Sequence, residues 1–172
     1  MDFPTIGGLP AHPLIVHATV VLVPLAAAAV ALHTFWPAAR ARLGLVTLGA
    51  AALAVILVPL STSSGEQLEH DVPHTALIEQ HTRLADGLLP WVLGLLVVAV
   101  LLAVRDVMAQ DGRGRLRVPD GAASTVAAAL TRPVVLGILA VLVVVGTTQQ
   151  VVRIGHSGAK ASWSHVASTA KR

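Results

Sequence analysis

Residues 88–104 read LLPWVLGLLVVAVLLAV, an apolar run without a charged side chain. About 20 mostly apolar residues at about 1.5 Å each cross the roughly 30 Å hydrocarbon core of a bilayer, so this run is typical of a membrane-spanning helix. Similar runs lie at 14–32, 43–60 and 134–152. None alternates polar and apolar residues, which argues against a transmembrane barrel and for helices. The sequence predicts an all-α integral membrane four-helix bundle, with residues 1–172 as a single four-span domain.

The composition supports this class. Of the 172 residues, 55% are apolar and 12% are charged, and the mean hydropathy is +0.76, whereas a soluble domain carries roughly 25% charged residues. The chain has no cysteine, which excludes disulfides, thiolate zinc sites, cysteine-ligated iron–sulfur clusters and cysteine nucleophiles. The net charge of +3 comes from arginines scattered among loops, so nucleic-acid binding is not predicted. No nucleophile-elbow motif is present, and we do not expect the chain to be an enzyme on its own.

Basic residues beside the spans predict the orientation, because Lys and Arg resist translocation. The connection after the first span and the 105–133 connection together carry seven of them: Arg40, Arg42, Arg105, Arg113, Arg115, Arg117 and Arg132. The opposite side carries five: Arg83, Arg153, Lys160, Lys171 and Arg172. We therefore expect 105–133 to be a cytoplasmic connection and both termini to lie outside, in a multi-pass protein of the bacterial cytoplasmic membrane.

This topology gathers the histidines. Four spans bring the N-terminal tail, the second connection and the C-terminal tail to one side of the membrane. Seven of the eight histidines fall there: His12, His17, His70, His74, His81, His156 and His165. His17 stands inside a span, where an ionisable side chain is costly and usually faces the bundle interior or a ligand. The sequence thus predicts a histidine-rich site at the outer face.

Haem b is the first candidate for this site, since two imidazoles from facing helices at matched depth are what a low-spin haem needs. We predict His17 and His81 as the ligand pair, with His12 and His156 as a second pair or as supporting residues. The basic residues expected to pair with the haem propionates are Arg153 and Lys160. The alternative for His17 is a hydrogen bond to a threonine, a backbone carbonyl or a lipid headgroup.

Two further alternatives stay open. Neutral imidazole and carboxylate also suit zinc or copper(II), and such a metal site would use His17, His81, His70, His74 and Glu66. No H-E-x-x-H spacing is present, and a polar connection of this kind is also typical of solvated surface. The chain has little mass outside the membrane, which favours a third possibility, an accessory subunit without cofactor that packs against a larger membrane complex.

Glycines predict where helices approach each other closely. Gly87 and Gly94 lie seven residues apart at the third span, and Gly137 and Gly146 share the fourth. Small residues on a helix surface let a neighbouring backbone or side chain come near. We expect the third and fourth spans to pack closely at these positions.

The run from Gly8 to His17, GLPAHPLIVH, resembles the entry motif of a family of small four-helix predicted bacterial membrane proteins of unassigned function. That family continues with a glycine- and acid-containing end to the second helix, a histidine at the third helix and a Gly-His-Gly-like closure of the fourth. The counterparts here are Ser64-Gly65-Glu66, His81 and Gly155-His156-Ser157-Gly158.

Relatives of this family are similar to modules found fused to Rieske or cytochrome c domains. The resemblance therefore implies electron transfer, with a redox partner or a larger respiratory complex as neighbour. The chain has no C-x-x-C-H motif and would need an external electron partner. Its Arg and Ala bias is similar to that of high-GC actinobacterial proteins.

Overall fold

The computed structural model describes residues 5–6, 9–69, 75–111, 129–130 and 132–169. Its elements in chain order are β1 (Thr5–Ile6), β2 (Leu9–Pro10), α1 (Ala11–Phe35), α2 (Pro37–Glu69), α3 (Ala76–Asp86), α4 (Leu89–Asp111) and α5 (Pro133–Thr169). The two short strands pair antiparallel ahead of α1. Helices therefore make up nearly all of the described chain.

Four helical stretches are long and apolar enough to cross a membrane: His12–Phe35, Pro37–Glu69, Ala76–Ala109 and Pro133–Trp163. The third combines α3 and α4. Large apolar side chains such as Val21, Leu45 and Val134 are exposed on the outside of the bundle, where lipid replaces water as their neighbour. The prediction of an all-α bundle with four membrane-spanning helices is confirmed.

Small side chains fill the middle of the bundle and let the helices approach. Ala26 of α1, Ala54 of α2, Leu95 of α4 and Ala140 of α5 are fully buried. α1 packs along α2, α2 along α4, α1 along α5, and α3 along the outer part of α5. The short α3 thus joins the bundle through α5.

Glycines on α4 and α5 mark the closest helix contact. A Cβ on Gly94 would come within 2.9 Å of the Val143 side chain, and a Cβ on Gly146 would overlap the six-membered ring of Trp91. A Cβ on Gly87 would come within 2.8 Å of the Gln150 amide. Close packing of the third and fourth spans is confirmed at Gly87, Gly94 and Gly146, whereas Gly137 faces Phe35 of α1, 3.6 Å from where its Cβ would be.

All four long helices extend beyond the predicted spans, and α5 extends furthest, to Thr169, 17 residues past its expected end. α2 runs to Glu69, nine residues past the expected end, and contains a kink at Gly44, whose φ of 28° is open to glycine without steric strain. α4 runs to Asp111, so the 105–133 connection begins as helix, while its residues 112–128 lie outside the described residues. The extension of α2 carries Ser64 and Gly65 into the structured part of the protein.

Candidate functional site

A cavity of about 580 Å³ lies at the end of the bundle where α1 begins and α2 ends. Its walls come from α1, α2, α3 and α5. The deeper walls are apolar and include Val20, Val58, Leu88, Val151 and Ile154. The polar lining includes two histidines, His12 and His81, and three carboxylates, Glu66, Glu69 and Asp86.

His12 enters this cavity from the first turn of α1. Its Nδ1 lies 2.9 Å from the Ser64 hydroxyl oxygen near the end of α2. The imidazole lies against Gly65, where an added Cβ would be 3.0 Å from Cε1 of the ring. Because glycine has no side chain, the ring can lie directly on the α2 backbone beside the serine.

His81 repeats this arrangement on the other half of the bundle. It stands in the middle of α3, and its Nδ1 lies 3.0 Å from the hydroxyl oxygen of Ser157 on α5. A Cβ added to Gly158 would be 3.0 Å from Cε1 of the ring. Each histidine therefore packs on a Ser-Gly pair of a long neighbouring helix.

The two imidazoles come from different helices. Both line the same cavity. The topology argument for a histidine site at one end of the bundle is thus reflected in the structure, with His12 and His81 as the histidines brought together.

His17 occupies a different surface. Its side chain is exposed, and its Nδ1 lies 2.5 Å from the Pro13 carbonyl oxygen, one turn back on the same helix. His17 is not part of the cavity lining. The structure does not place it beside His81, and the alternative of a hydrogen bond to a backbone carbonyl describes its surroundings.

The α5 residues predicted to assist a cofactor also face elsewhere. His156, Arg153 and Lys160 are exposed, whereas the cavity is lined by α5 residues at 151, 154, 155 and 158. With 3.6 residues per turn, Arg153 and Lys160 lie on the far side of the helix from this stripe. The motif Gly155-His156-Ser157-Gly158 therefore contributes its two glycines to the cavity lining, while its serine contacts His81.

The residues predicted for a divalent metal are not gathered into one group. Glu66 and His81 line the cavity, but His70 and His74 lie outside the described residues. Among the residues that the structure describes, no group of three or more His, Asp or Glu side chains is arranged to hold a metal ion. Two nitrogen donors on facing walls are what the described part of the site offers.

A second buried polar cluster lies at the opposite end of α1 and was not anticipated. His33 is 1% exposed, and its Nε2 lies 2.9 Å from Oδ2 of Asp106 on α4. Its Nδ1 lies 3.1 Å from the Thr47 hydroxyl oxygen on α2. The order hydroxyl, imidazole, carboxylate is that of a nucleophilic triad, but Thr47 is also only 1% exposed. A substrate would have no access to the hydroxyl, so we interpret the cluster as a hydrogen-bonded link between three helices.

Sequence reasoning missed the roles of Ser64 and Ser157. The available signal was the repeated Ser-Gly pair, at 64–65 and 157–158, near the ends of the second and fourth spans. Each pair lies within a long helix, past its predicted span, and contacts a histidine of another helix. The two Ser-Gly pairs are recognised as equivalent only when the structure shows one histidine against the glycine of each pair.

Comparison with known proteins places the chain in a family. No curated protein and no solved structure matches it. Residues 8–171 match the family model described as predicted membrane protein (DUF2231). The matched segment contains both histidines of the cavity and both Ser-Gly pairs. The chain therefore belongs to the DUF2231 family of predicted membrane proteins.

Proposed function

We propose that this protein is a small membrane cytochrome that binds haem b between His12 and His81 and transfers electrons near the outer membrane surface. The observation that carries the proposal is the pair of imidazoles from different helices lining one cavity. Bis-histidine ligation needs one nitrogen on each face of the iron. Both rings contact a serine hydroxyl through Nδ1, so Nε2 would be the ligating nitrogen of each ring.

The cavity suits a large planar apolar group. Its volume of about 580 Å³ lies within the range of roughly 300–1,000 Å³ typical of cofactor pockets. Valine, leucine and isoleucine side chains form its deeper walls, and glycines support both imidazoles. Among the described residues that line the cavity, none is lysine or arginine, so the propionates would face the aqueous exterior.

The carboxylates that line the cavity would favour the oxidised form of a bound haem over its reduced form. When bound, haem b supplies a reversible one-electron centre whose oxidised iron carries the additional positive charge. Glu66 and Asp86 are exposed at the cavity, and no basic side chain among its described lining residues offsets them. Their negative charge stabilises the oxidised form and lowers the reduction potential. An electron donor or acceptor, as a separate protein or within a respiratory complex, would complete the function.

Spectroscopy of histidine variants tests the proposal. We expect the purified protein, produced with a haem supply, to show a low-spin b-type spectrum on reduction with dithionite. His12→Ala and His81→Ala should each abolish it, because each removes an iron ligand. Their loss of affinity should exceed the roughly 10- to 100-fold loss caused by removing a ligand's hydrogen-bond partner.

The matched controls are His17→Ala and His156→Ala, which should keep the spectrum because both side chains lie outside the cavity. A wild-type protein without a b-type spectrum, or one whose spectrum survives both cavity substitutions, contradicts the proposal. Zinc or copper found by elemental analysis in place of haem would support the divalent-metal alternative. A stable protein with neither group would support a cofactor-free accessory subunit.

The orientation is a separate proposal, namely that the cavity end faces outside. The absence of cysteine makes it directly testable with single cysteine variants. Gln67 at the cavity end and Ala38 at the opposite end are both exposed. We expect a membrane-impermeant maleimide to label Gln67→Cys in intact cells and to label Ala38→Cys after permeabilisation only. The reverse pattern would place the cavity at the cytoplasmic face.

A further inference from the structure

The two serine hydroxyls that contact the cavity histidines each have a second neighbour. Ser64 Oγ lies 2.9 Å from the Ser61 carbonyl oxygen as well as 2.9 Å from His12 Nδ1. A hydroxyl has one proton, and a carbonyl oxygen can only accept. Both contacts are hydrogen bonds at once only when Ser64 donates to Ser61 and accepts from His12, with the ring proton on Nδ1.

The same reasoning holds in the second half of the bundle. Ser157 Oγ lies 2.8 Å from the Ile154 carbonyl oxygen, to which it donates. Its oxygen then accepts from Nδ1 of His81 at 3.0 Å. Ser157 is 6% exposed, so water has little access to replace this hydrogen bond. In both rings, the two serine contacts are hydrogen bonds at the same time only when Nδ1 carries the ring proton.

We infer that Ser64 and Ser157 are positioning residues that hold His12 and His81 as Nδ1–H tautomers and reserve both Nε2 lone pairs for a ligand. A ligating histidine is normally oriented by a hydrogen bond from its other ring nitrogen, which also raises the basicity of the ligating one. The use of the two rings as iron ligands rests on the proposed function. The tautomers themselves are a property of the polypeptide.

The glycine beside each serine supports this role. Gly65 and Gly158 allow the rings to approach the helix backbone, within reach of the neighbouring hydroxyl. The arrangement occurs twice with nearly equal distances, 2.9 Å and 3.0 Å. Each ring therefore contacts one serine hydroxyl through the same nitrogen, Nδ1.

Nitrogen NMR of the haem-free protein tests the inference without any cofactor. In protein labelled with ¹⁵N-histidine at a pH where the imidazoles are neutral, two-bond couplings report which ring nitrogen carries the proton. We expect His12 and His81, assigned by loss of their signals in the alanine variants, to be Nδ1–H tautomers. Ser64→Ala should change the signals of His12 alone, and Ser157→Ala those of His81 alone.

Three controls accompany these variants. Ser63→Ala removes a hydroxyl that bonds its own helix at Leu60 and should change neither histidine. His17, whose Nδ1 faces the Pro13 carbonyl, should keep the Nδ1–H form in every serine variant. Ser64→Thr restores a hydroxyl and should return His12 toward its original tautomer.

The outcomes separate this inference from the proposed function. If either His12 or His81 is the Nε2–H tautomer in the unaltered protein, the positioning role is overturned, even when haem binds. If both are Nδ1–H tautomers that respond to their own serine and no haem binds, the positioning role stands and the cytochrome proposal fails. In haem-loaded protein, each serine-to-alanine variant should bind haem about 10-fold more weakly.

Discussion

Replacing Asp106 by leucine is expected to lower the free energy of unfolding by about 3 kcal/mol. His33 is 1% exposed, and Asp106 is the carboxylate on its Nε2 at 2.9 Å. Removing one member of a buried pair leaves the other without a partner and costs roughly 3–5 kcal/mol. Asp106 keeps 23% of its side chain exposed, which places the expected loss at the lower end of that range. Denaturant titration in detergent, followed by circular dichroism, measures it.

Further variants show whether the loss of stability comes from breaking the His33–Asp106 contact or from removing a charged side chain at any position. His33→Leu combined with Asp106→Leu should recover part of the stability, because neither ionisable member of the pair is then left alone, although the Thr47 hydroxyl loses its contact with His33. Glu79→Gln removes one member of the exposed Glu79–Arg83 pair on α3 and should cost about 0–1 kcal/mol. If Asp106→Leu is no more destabilising than Glu79→Gln, the pair does not hold α1 to α4.

The four spans could be predicted because hydropathy and length are local properties of the sequence. The gathering of histidines at one end could also be predicted, since an even number of crossings fixes which connections share a side. These two steps needed no knowledge of how the helices pack. They account for the correct fold class and for the position of the cavity along the bundle.

The choice of histidine on α1 could not be made in the same way. His12 and His17 are five residues apart, which is about 140° around a helix, so both cannot face the same cavity. α1 is apolar on all sides, and its sequence has no polar face to indicate its rotation about its own axis. That rotation is set by packing against α2, where Gly65 leaves room for an imidazole beside Ser64.

The cluster around His33 could not be predicted from the sequence for a related reason. His33 and Asp106 are separated by 73 residues, and each alone is typical of a residue at the end of a span. Only the parallel packing of α1 and α4, which places the C-terminal ends of both helices side by side, brings them together. Two ionisable side chains at the same predicted depth, on the same side of the membrane, were the signal available in the sequence.

Replacing Gly146 by alanine is expected to lower the free energy of unfolding by about 3 kcal/mol. A Cβ at this position would overlap the Trp91 ring of α4, and overpacking of a filled interior costs roughly 1–3 kcal/mol. The overlap involves a large rigid ring, so we place the loss near the upper limit. As a control, Gly49→Ala should be neutral or slightly stabilising, because an added Cβ there has no neighbour within 4 Å and alanine favours helix.

A compensating substitution shows whether the steric cause is correct. Trp91→Leu removes the ring that meets Gly146, so Gly146→Ala should cost much less in that background, and the difference between the two costs measures their coupling. The contact also matters for the site, because α5 carries Ser157 about three turns beyond Gly146 and α3, directly ahead of α4, carries His81. If Gly146→Ala is tolerated with Trp91 in place, α4 and α5 are less closely packed than described. The same register sets Ser157 beside His81, so a tolerated Gly146→Ala would weaken the structural basis of the two-histidine site.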